Sequence, residues 1–180
     1  MQHPFSLILV PVMLLIAAPV IANEYLTVVQ AQKVLFPEAD RFVEAPVLLA
    51  DAQREAIEDK AGISQRWKKQ EAWRAEKGGK LVGWFIVDNV IGKHEFITYA
   101  AALLPEGKVK GVEVLIYRET RGDQVRGAGW RKVFENKTLA DPFKLDKDVP
   151  NISGATLSCK NITNGVKRLL VLQKLVLPSE

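Results

Sequence analysis

The sequence predicts an α+β fold: an antiparallel β-sheet meander with flanking helices and a long C-terminal helix packed on the sheet. Apolar, β-branched stretches follow one another between residues 80 and 117, separated by short turn-forming segments, which is typical of a meander. From residue 161 onward, apolar residues recur at helical spacing in a broad stripe, which indicates a helix with one buried face. The chain has 180 residues, enough for one domain core and too few for two.

Composition narrows the classes of function. The 25 basic and 21 acidic residues give a net charge of +4, and the basic residues are scattered along the chain, so we expect no nucleic-acid binding. The single cysteine, Cys159, excludes an intramolecular disulfide and a cysteine-based metal site. With only two histidines besides, the sequence predicts no metal centre.

Residues 1–22 have the features of a secretory signal peptide. An uncharged apolar run is followed by Pro19, and small residues at the −3 and −1 positions favour cleavage after Ala22. The run is also long enough to cross a bilayer once, so an uncleaved anchor remains the alternative. In either case we expect residues 23–180 to form a single domain in the periplasm or another extracytoplasmic space, either secreted or tethered to the membrane.

The first part of this domain is expected to hold two helices and a strand. Residues 25–36 carry apolar residues at helical spacing, and Pro37 ends that helix. Residues 43–50 are apolar and β-branched, which predicts a strand. Asp51 then caps a second helix, and Gly62 terminates it.

The central part is expected to form the sheet. The charged stretch 64–79, which contains two tryptophans, predicts a strand pair with one apolar face. Residues 80–87 predict a central strand. Residues 96–104 and 109–117 predict the two strands that follow it, joined by a turn at residues 105–107.

The segment between the sheet and the last helix is predicted to be mostly irregular. Residues 119–129 are polar and contain glycine, whereas Trp130, Val133 and Phe134 have the spacing of a short helix. Residues 142–150 begin and end with proline, which favours an extended conformation.

The stretch 151–159 lies directly before the last helix and is the strongest candidate for a binding site. Hydroxyl side chains, a glycine and an alanine precede the helix, which would direct its free backbone N–H groups and the positive end of its dipole at the loop. This arrangement suits a phosphate group. The alternative is an ordinary helix start, capped by Ser153, Thr156 or Ser158.

Three features of the sequence together carry a resemblance to a known family. They are the Ser-Gly-Ala-Thr motif at residues 153–156, followed by Leu157 and Ser158; the strand and loop at residues 114–122, which contain Glu119 and Thr120; and Trp130 between them. This combination resembles the small FMN-binding domain family over about residues 80–175. The family includes the flavin-carrying subunits of the sodium-translocating NADH:quinone oxidoreductase and of the Rnf complexes, and free-standing extracytoplasmic proteins.

The resemblance implies that FMN is covalently attached through a phosphoester to the Thr156 hydroxyl, by a flavin transferase that uses FAD and Mg²⁺. It also implies an electron-transfer carrier with a membrane or periplasmic redox partner and no catalytic residues of its own. The residues implied to contact FMN are Thr156, Ser153, Gly154, Ala155, Leu157, Ser158, Glu119, Thr120 and Trp130. The loop chemistry agrees, because Thr156 offers a hydroxyl, Gly154 and Ala155 leave room for a phosphate, and helix N–H groups would bind it.

Two positions depart from the family's usual pattern. An aspartate usually stands three residues before the serine of the motif, where this chain has Pro150. A proline usually follows the Glu-Thr pair, where this chain has Arg121. The first departure bears on how a transferase recognises Thr156, and the second bears on the charge around the flavin.

Other interpretations remain open. The chain could be a flavin-free adaptor domain of the same fold, or a small reductase that binds FMN without a covalent bond. His94 and Glu95 could transfer protons or contact a redox partner, but adjacent residues of a strand point to opposite faces, so a surface pair is the simpler interpretation. Trp130 could pack in the core with Phe134 instead of contacting a flavin.

Overall fold

The computed structural model describes residues 23–178. The predicted leader, residues 1–22, lies outside the described residues, so its cleavage or retention stays a prediction. Within residues 23–178, no helix combines the length and the apolar character needed to cross a membrane.

The described residues form an antiparallel sheet of seven strands. In chain order the strands are β1 (Asn23–Glu24), β2 (Arg41–Glu44), β3 (Val47–Leu48), β4 (Lys69–Lys77), β5 (Lys80–Ile91), β6 (Phe96–Leu104) and β7 (Lys108–Tyr117). Their order across the sheet is β1-β7-β6-β5-β4-β2, and the short β3 pairs with the start of β4. Strands β4 to β7 each pair with the next one along the chain, which confirms the predicted meander.

Helices cover the sheet on both faces. In chain order the α-helices of the described part are α1 (Val28–Leu35), α2 (Asp51–Ala61), α3 (Ala128–Arg131) and α4 (Thr156–Val176). Two short 3₁₀ helices, Asp123–Arg126 and Lys132–Phe134, flank α3. The long C-terminal helix α4 packs on the sheet, so the predicted α+β architecture is confirmed.

Some local predictions differ from the structure. The strand predicted at residues 43–50 is two short strands, because Pro46 lies between them and has no N–H group for the β-ladder. The charged stretch 64–79 contributes one strand, β4, and not a strand pair; β4 pairs with β5 on one side and with β2 and β3 on the other. Residues 142–150 contain a turn in which Asp146 has φ of +60°, so the segment is not extended throughout.

The start of α2 also differs from its prediction. Ala50, and not Asp51, is the N-terminal capping residue of this helix. The backbone N–H of Ala50 donates to the side chain of Gln53 over 2.9 Å, so the helix start is satisfied from within its first turn. Gly62 ends the helix in a left-handed conformation, as predicted.

Alternate residues of β6 show how both faces of the sheet are buried. Tyr99, Ala101 and Leu103 belong to the core beneath α4, whereas Ala100 and Ala102 belong to the core beneath α1. Because neither face meets solvent here, the strand is apolar along most of its length. This is why its position can be predicted from the sequence.

A buried ion pair fixes α4 on the sheet. Arg168 of α4 is 3% exposed and donates to Asp88 of β5 and to the side chain of Gln65. The Tyr99 hydroxyl donates to the same Asp88 oxygen over 2.7 Å. Burial, reinforced by the Asp88 charge, raises the pKa of Tyr99 well above its ordinary value, so this hydroxyl remains a donor.

Gly165 lets α4 approach the sheet closely. A Cβ atom at this position would clash with the Tyr99 hydroxyl and would lie 2.9 Å from Cγ1 of Val90. The Tyr99 hydroxyl is held by its bond to Asp88 and cannot readily move aside. Glycine in a helix interior costs about 1 kcal/mol relative to alanine, so packing against the sheet outweighs helix propensity at this position.

We expect Arg168→Leu to lower the free energy of unfolding by about 3–5 kcal/mol, because it leaves the Asp88 carboxylate buried without its cation. Urea denaturation measures this loss. Lys174→Ala removes an exposed charge from the same helix and is the control, with an expected change below about 0.5 kcal/mol. If Arg168→Leu costs less than about 1 kcal/mol, the ion pair does not hold the helix.

We expect Gly165→Ala to destabilise the protein by about 1–3 kcal/mol, because the added methyl group overpacks the contact with Tyr99. The matched control is Gly129→Ala in α3, where a Cβ atom meets nothing within 4 Å and should be neutral or stabilising. Thermal and urea unfolding compare the two variants. An equal gain in stability for both would contradict the close approach of α4.

Candidate functional site

The candidate site lies where α4 begins. Thr156 is the first residue of the helix, and Ala155 precedes it as the N-terminal capping residue. No side chain caps this start, so the alternative of a cap by Ser153, Thr156 or Ser158 is wrong. The backbone N–H groups of residues 156–158 meet no acceptor within the described part of the chain. They are therefore available to a bound anion.

An open cleft of about 610 Å³ adjoins the first turn of α4. Three segments line it: residues 93–94 between β5 and β6, residues 119–121 after β7, and residues 154–158. The cleft brings together most of the residues that the resemblance implies for flavin contact, namely Glu119, Thr120, Gly154, Ala155, Thr156, Leu157 and Ser158. Ser153 and Trp130 do not line it.

The residues of the motif differ in their access to the cleft. Thr156 is exposed, and Leu157 beside it is 46% exposed. Ala155 and Ser158 are buried, which leaves Thr156 as the accessible hydroxyl at the start of the helix. Gly154 has φ of +82°, a left-handed conformation that favours glycine at the turn into the helix.

Glu119 holds the connection between β5 and β6. Its carboxylate accepts the backbone N–H groups of His94, at 2.5 Å, and Glu95, at 3.0 Å. Burial raises the pKa of the Glu119 carboxyl, but these hydrogen bonds outweigh burial and lower the pKa below its ordinary value. A Cβ atom at Gly92 would lie 2.5 Å from the same carboxylate, so a larger residue there would displace the Glu119 side chain. Glu119 therefore positions one wall of the cleft.

Tyr117 connects a second wall of the cleft to α4. Its hydroxyl donates to the carbonyl of Arg121 over 2.7 Å and lies 3.1 Å from the hydroxyl oxygen of Ser158. Gly122 has φ of +89°, and a Cβ atom there would lie 2.7 Å from the Tyr117 hydroxyl. Sequence reasoning missed Tyr117, although a tyrosine at the end of a buried strand, directly before the predicted loop, is a signal that could have indicated it.

Trp130 supports the loop before the motif from within the core. Its ring is 7% exposed and packs edge to face on Phe134, with 5.1 Å between the ring centroids. Its indole N–H donates to the carbonyl of Pro150 over 2.8 Å. The structure therefore places Trp130 in the core and gives it a positioning role for the residues that lead to Thr156.

Asp148 does not replace the aspartate that is usual at the position of Pro150. Its carboxylate accepts the N–H groups of Phe143 and Lys144 and pairs with Lys137 over 2.7 Å. Burial raises the pKa of Asp148, but the Lys137 ammonium and the backbone N–H donors lower it overall. Asp148 is thus bound within its own turn.

The rim of the cleft carries positive charge. Lys93 and Arg121 are exposed at the rim, whereas the acid in the lining, Glu119, is bound to backbone N–H groups. His94 lines the cleft and Glu95 does not, and both lie in the connection between strands. Sequence reasoning missed Lys93 because the segments that meet here are far apart along the chain.

Comparison with known proteins matches the part of the chain that builds the cleft. Residues 92–171 match the model of the FMN-binding domain. The G subunit of the proton-translocating ferredoxin:NAD(+) oxidoreductase complex of Clostridium ljungdahlii is 26% identical over 124 residues, which cover 65% of this chain and 67% of that protein. The G subunit of the ion-translocating oxidoreductase complex of Stutzerimonas stutzeri is 31% identical over 114 residues, which cover 57% of this chain and only 50% of that protein.

A solved structure has the same fold. The crystal structure of Shewanella oneidensis NqrC aligns with a TM-score of 0.53, covering 77% of this chain and 81% of that chain at 19% identity. At this identity the likeness shows the fold alone. The matched residues 92–171 include every residue that lines the cleft, from Lys93 to Ser158. Over residues 92–171, this chain is therefore similar to the FMN-binding domain.

Proposed function

We propose that this chain is an extracytoplasmic flavoprotein that carries FMN on the Thr156 hydroxyl and transfers electrons between redox partners. The observation that carries the proposal is an exposed threonine hydroxyl on the first residue of an uncapped helix, at the edge of an open cleft. As an electron carrier, the protein needs no catalytic residue of its own.

The residues at the cleft suit a phosphoester. The N–H groups of residues 156–158 and the helix dipole would stabilise the phosphate charge, and Lys93 and Arg121 add cations at the rim. Gly154 and Ala155 have no bulky side chain that would block a phosphate from reaching the start of α4. The volume of about 610 Å³ lies within the range of about 300–1,000 Å³ that is typical of small-molecule sites.

Attachment of FMN to Thr156 from FAD is a phosphoryl-group transfer. The Thr156 oxygen forms a bond to the phosphorus nearer the flavin, the phosphoanhydride bond breaks, AMP leaves, and the hydroxyl proton is released. We assign this step to a separate flavin transferase that uses Mg²⁺, in keeping with the resemblance of the motif.

The role of the chain is to position a cofactor that has its own chemistry. When bound, FMN supplies the transfer of electrons, and the protein tunes it through charge and hydrogen bonds. The cleft is open, so a redox partner can approach its rim. The two relatives are named as subunits of oxidoreductase complexes, which supports a membrane-associated redox partner. The leader predicted at residues 1–22 supports the extracytoplasmic location.

We expect Thr156→Val to abolish flavin attachment, because valine keeps the shape of threonine and lacks its hydroxyl. The proteins are produced together with a flavin transferase. Intact mass and in-gel flavin fluorescence after denaturation are then measured. The wild-type protein should gain the mass of one FMN less one water, and the variant should gain nothing.

Thr120→Val is the matched control, since Thr120 is an exposed threonine that lines the same cleft. It should retain the adduct. An adduct on Thr156→Val would contradict the assigned attachment atom. A wild-type protein whose flavin is released by acid precipitation would indicate the non-covalent reductase, and one without any flavin would indicate the adaptor domain.

A further inference from the structure

Exposed cations without ion-pair partners surround the cleft. A second cavity, of about 320 Å³, lies next to the cleft and extends this surface. None of the cations in question forms an ion pair with a described acid. We call them the basic surface, and they are Lys93 and Arg121 at the rim of the cleft, Lys160 of α4, and Arg66 in the lining of the second cavity.

One row of side chains on α4 joins the cleft to the second cavity. Thr156, Lys160 and Asn164 follow one another at intervals of four residues, so they lie on the same side of the helix. Thr156 lines the cleft, and Asn164 lines the second cavity. Lys160 lies between them, about 6 Å along the helix axis from Thr156. The basic surface is therefore continuous from the cleft to the second cavity.

Two exposed aromatic side chains line the second cavity. Trp67 is 36% exposed and Phe96 is 39% exposed. Their rings are tilted by 52° with 6.0 Å between the centroids, so they form two sides of a notch and not a flat stacking surface. Arg168 also lines this cavity, but its charge is already paired with Asp88. We call the cavity the aromatic notch, because its free groups are apolar rings that another apolar side chain can contact.

The acidic side chains beside the basic surface oppose it little. Glu119 lines the cleft, but its carboxylate already accepts backbone N–H groups. Glu58 accepts the hydroxyl of Ser64 over 2.8 Å at the edge of the aromatic notch. Glu95 is half-buried and, like Asp123, lines neither the cleft nor the notch. The positive end of the α4 dipole adds to the four cations, so this end of the domain is basic.

We propose that an acidic redox protein docks on the basic surface, with its carboxylates against the four cations and an apolar side chain in the aromatic notch. This inference rests on the proposed function, since the partner exchanges electrons with flavin at Thr156. Tryptophan, phenylalanine and arginine are enriched in the cores of protein interfaces, and cations around such a core speed the encounter with an acidic partner.

The shape of the surface favours a protein over a lipid bilayer. The cleft and the aromatic notch are both concave, with volumes of about 610 Å³ and about 320 Å³. A projecting side chain of a folded partner can enter such a concavity and exclude water from it, whereas a flat bilayer surface would leave it unfilled. Anionic phospholipid vesicles are therefore included in the test as the competing binding surface.

Electron transfer to two acceptors of opposite charge tests the inference. Protein carrying FMN is reduced with dithionite, freed of excess reductant, and mixed rapidly with an acidic plastocyanin or a basic cytochrome c. Each reduced flavin gives two electrons, one to each of two Cu(II) or haem Fe(III) centres, and releases two protons. Between about 0.01 M and about 0.1 M salt, we expect the rate constant for plastocyanin to fall about tenfold and that for cytochrome c to rise, because salt screens the basic surface.

Variants locate the docking surface. Arg66 and Lys160 are exposed and make no side-chain hydrogen bond within residues 23–178, so both variants should fold. At about 0.1 M salt, Lys160→Glu and Arg66→Glu should each lower the plastocyanin rate constant about threefold or more and raise that for cytochrome c. Trp67→Ala should lower the plastocyanin rate constant at both salt concentrations, because it removes an apolar contact that salt does not screen.

Lys174→Glu is the matched control. It makes the same change in net charge on the same helix, at an exposed position about 21 Å farther along the axis than Lys160. This distance exceeds the Debye length of about 10 Å at about 0.1 M salt, so the plastocyanin rate constant should stay unchanged.

Intact mass and vesicle binding separate the possible failures. Unchanged plastocyanin rates in Lys160→Glu and Arg66→Glu, both carrying the adduct, would overturn this inference and leave the proposed function intact. An equal fall in Lys174→Glu would also overturn it, because only net charge would matter. Binding to anionic vesicles without any preference for plastocyanin would assign the surface to lipid instead. Absence of the adduct from wild-type protein would overturn the proposed function and this inference together.

Discussion

The geometry of the site depends on how α4 is seated on the sheet. Gly165 removes the side chain that would hold the helix away, and the buried pair of Arg168 and Asp88 selects one position along the strands. Thr156 is at the start of the same helix, about two and a half turns before Gly165 and a little over three turns before Arg168. If α4 shifted along the sheet, the Thr156 hydroxyl would move relative to the walls of the cleft. The packing of α4 on the sheet therefore determines both the stability of the domain and the position of Thr156 at the cleft.

Much of the sheet could be predicted from the sequence because burial on both faces makes β6 and β7 apolar runs bounded by turns. The predictions that were wrong concern places where one residue or a distant partner decides the outcome. Pro46 interrupts a strand that composition alone would continue. The charged strand β4 pairs with β5 and with β2 and β3, and a local sequence pattern does not reveal these partners.

The candidate site also has a part that could be predicted from the sequence and a part that could not. Its central part, from Gly154 to Ser158, is contiguous and lies at a helix start, so it could be found from the sequence. Its walls depend on contacts between distant segments, such as Glu119 with the backbone of His94 and Tyr117 with Ser158. No local pattern encodes these contacts. Glu119 thus lines the cleft as the resemblance implies, while its carboxylate is bound to backbone N–H groups.

The way the cleft is assembled has a consequence for the biogenesis of the protein. Its three lining segments meet only after the meander has formed and α4 has docked, and the N–H groups that would stabilise a phosphate exist only once that helix has formed. An unfolded chain offers the Thr156 hydroxyl without these N–H groups and without the walls of the cleft. If FMN is attached to Thr156 as we propose, attachment would therefore follow folding, and only chains that had already folded would carry the cofactor.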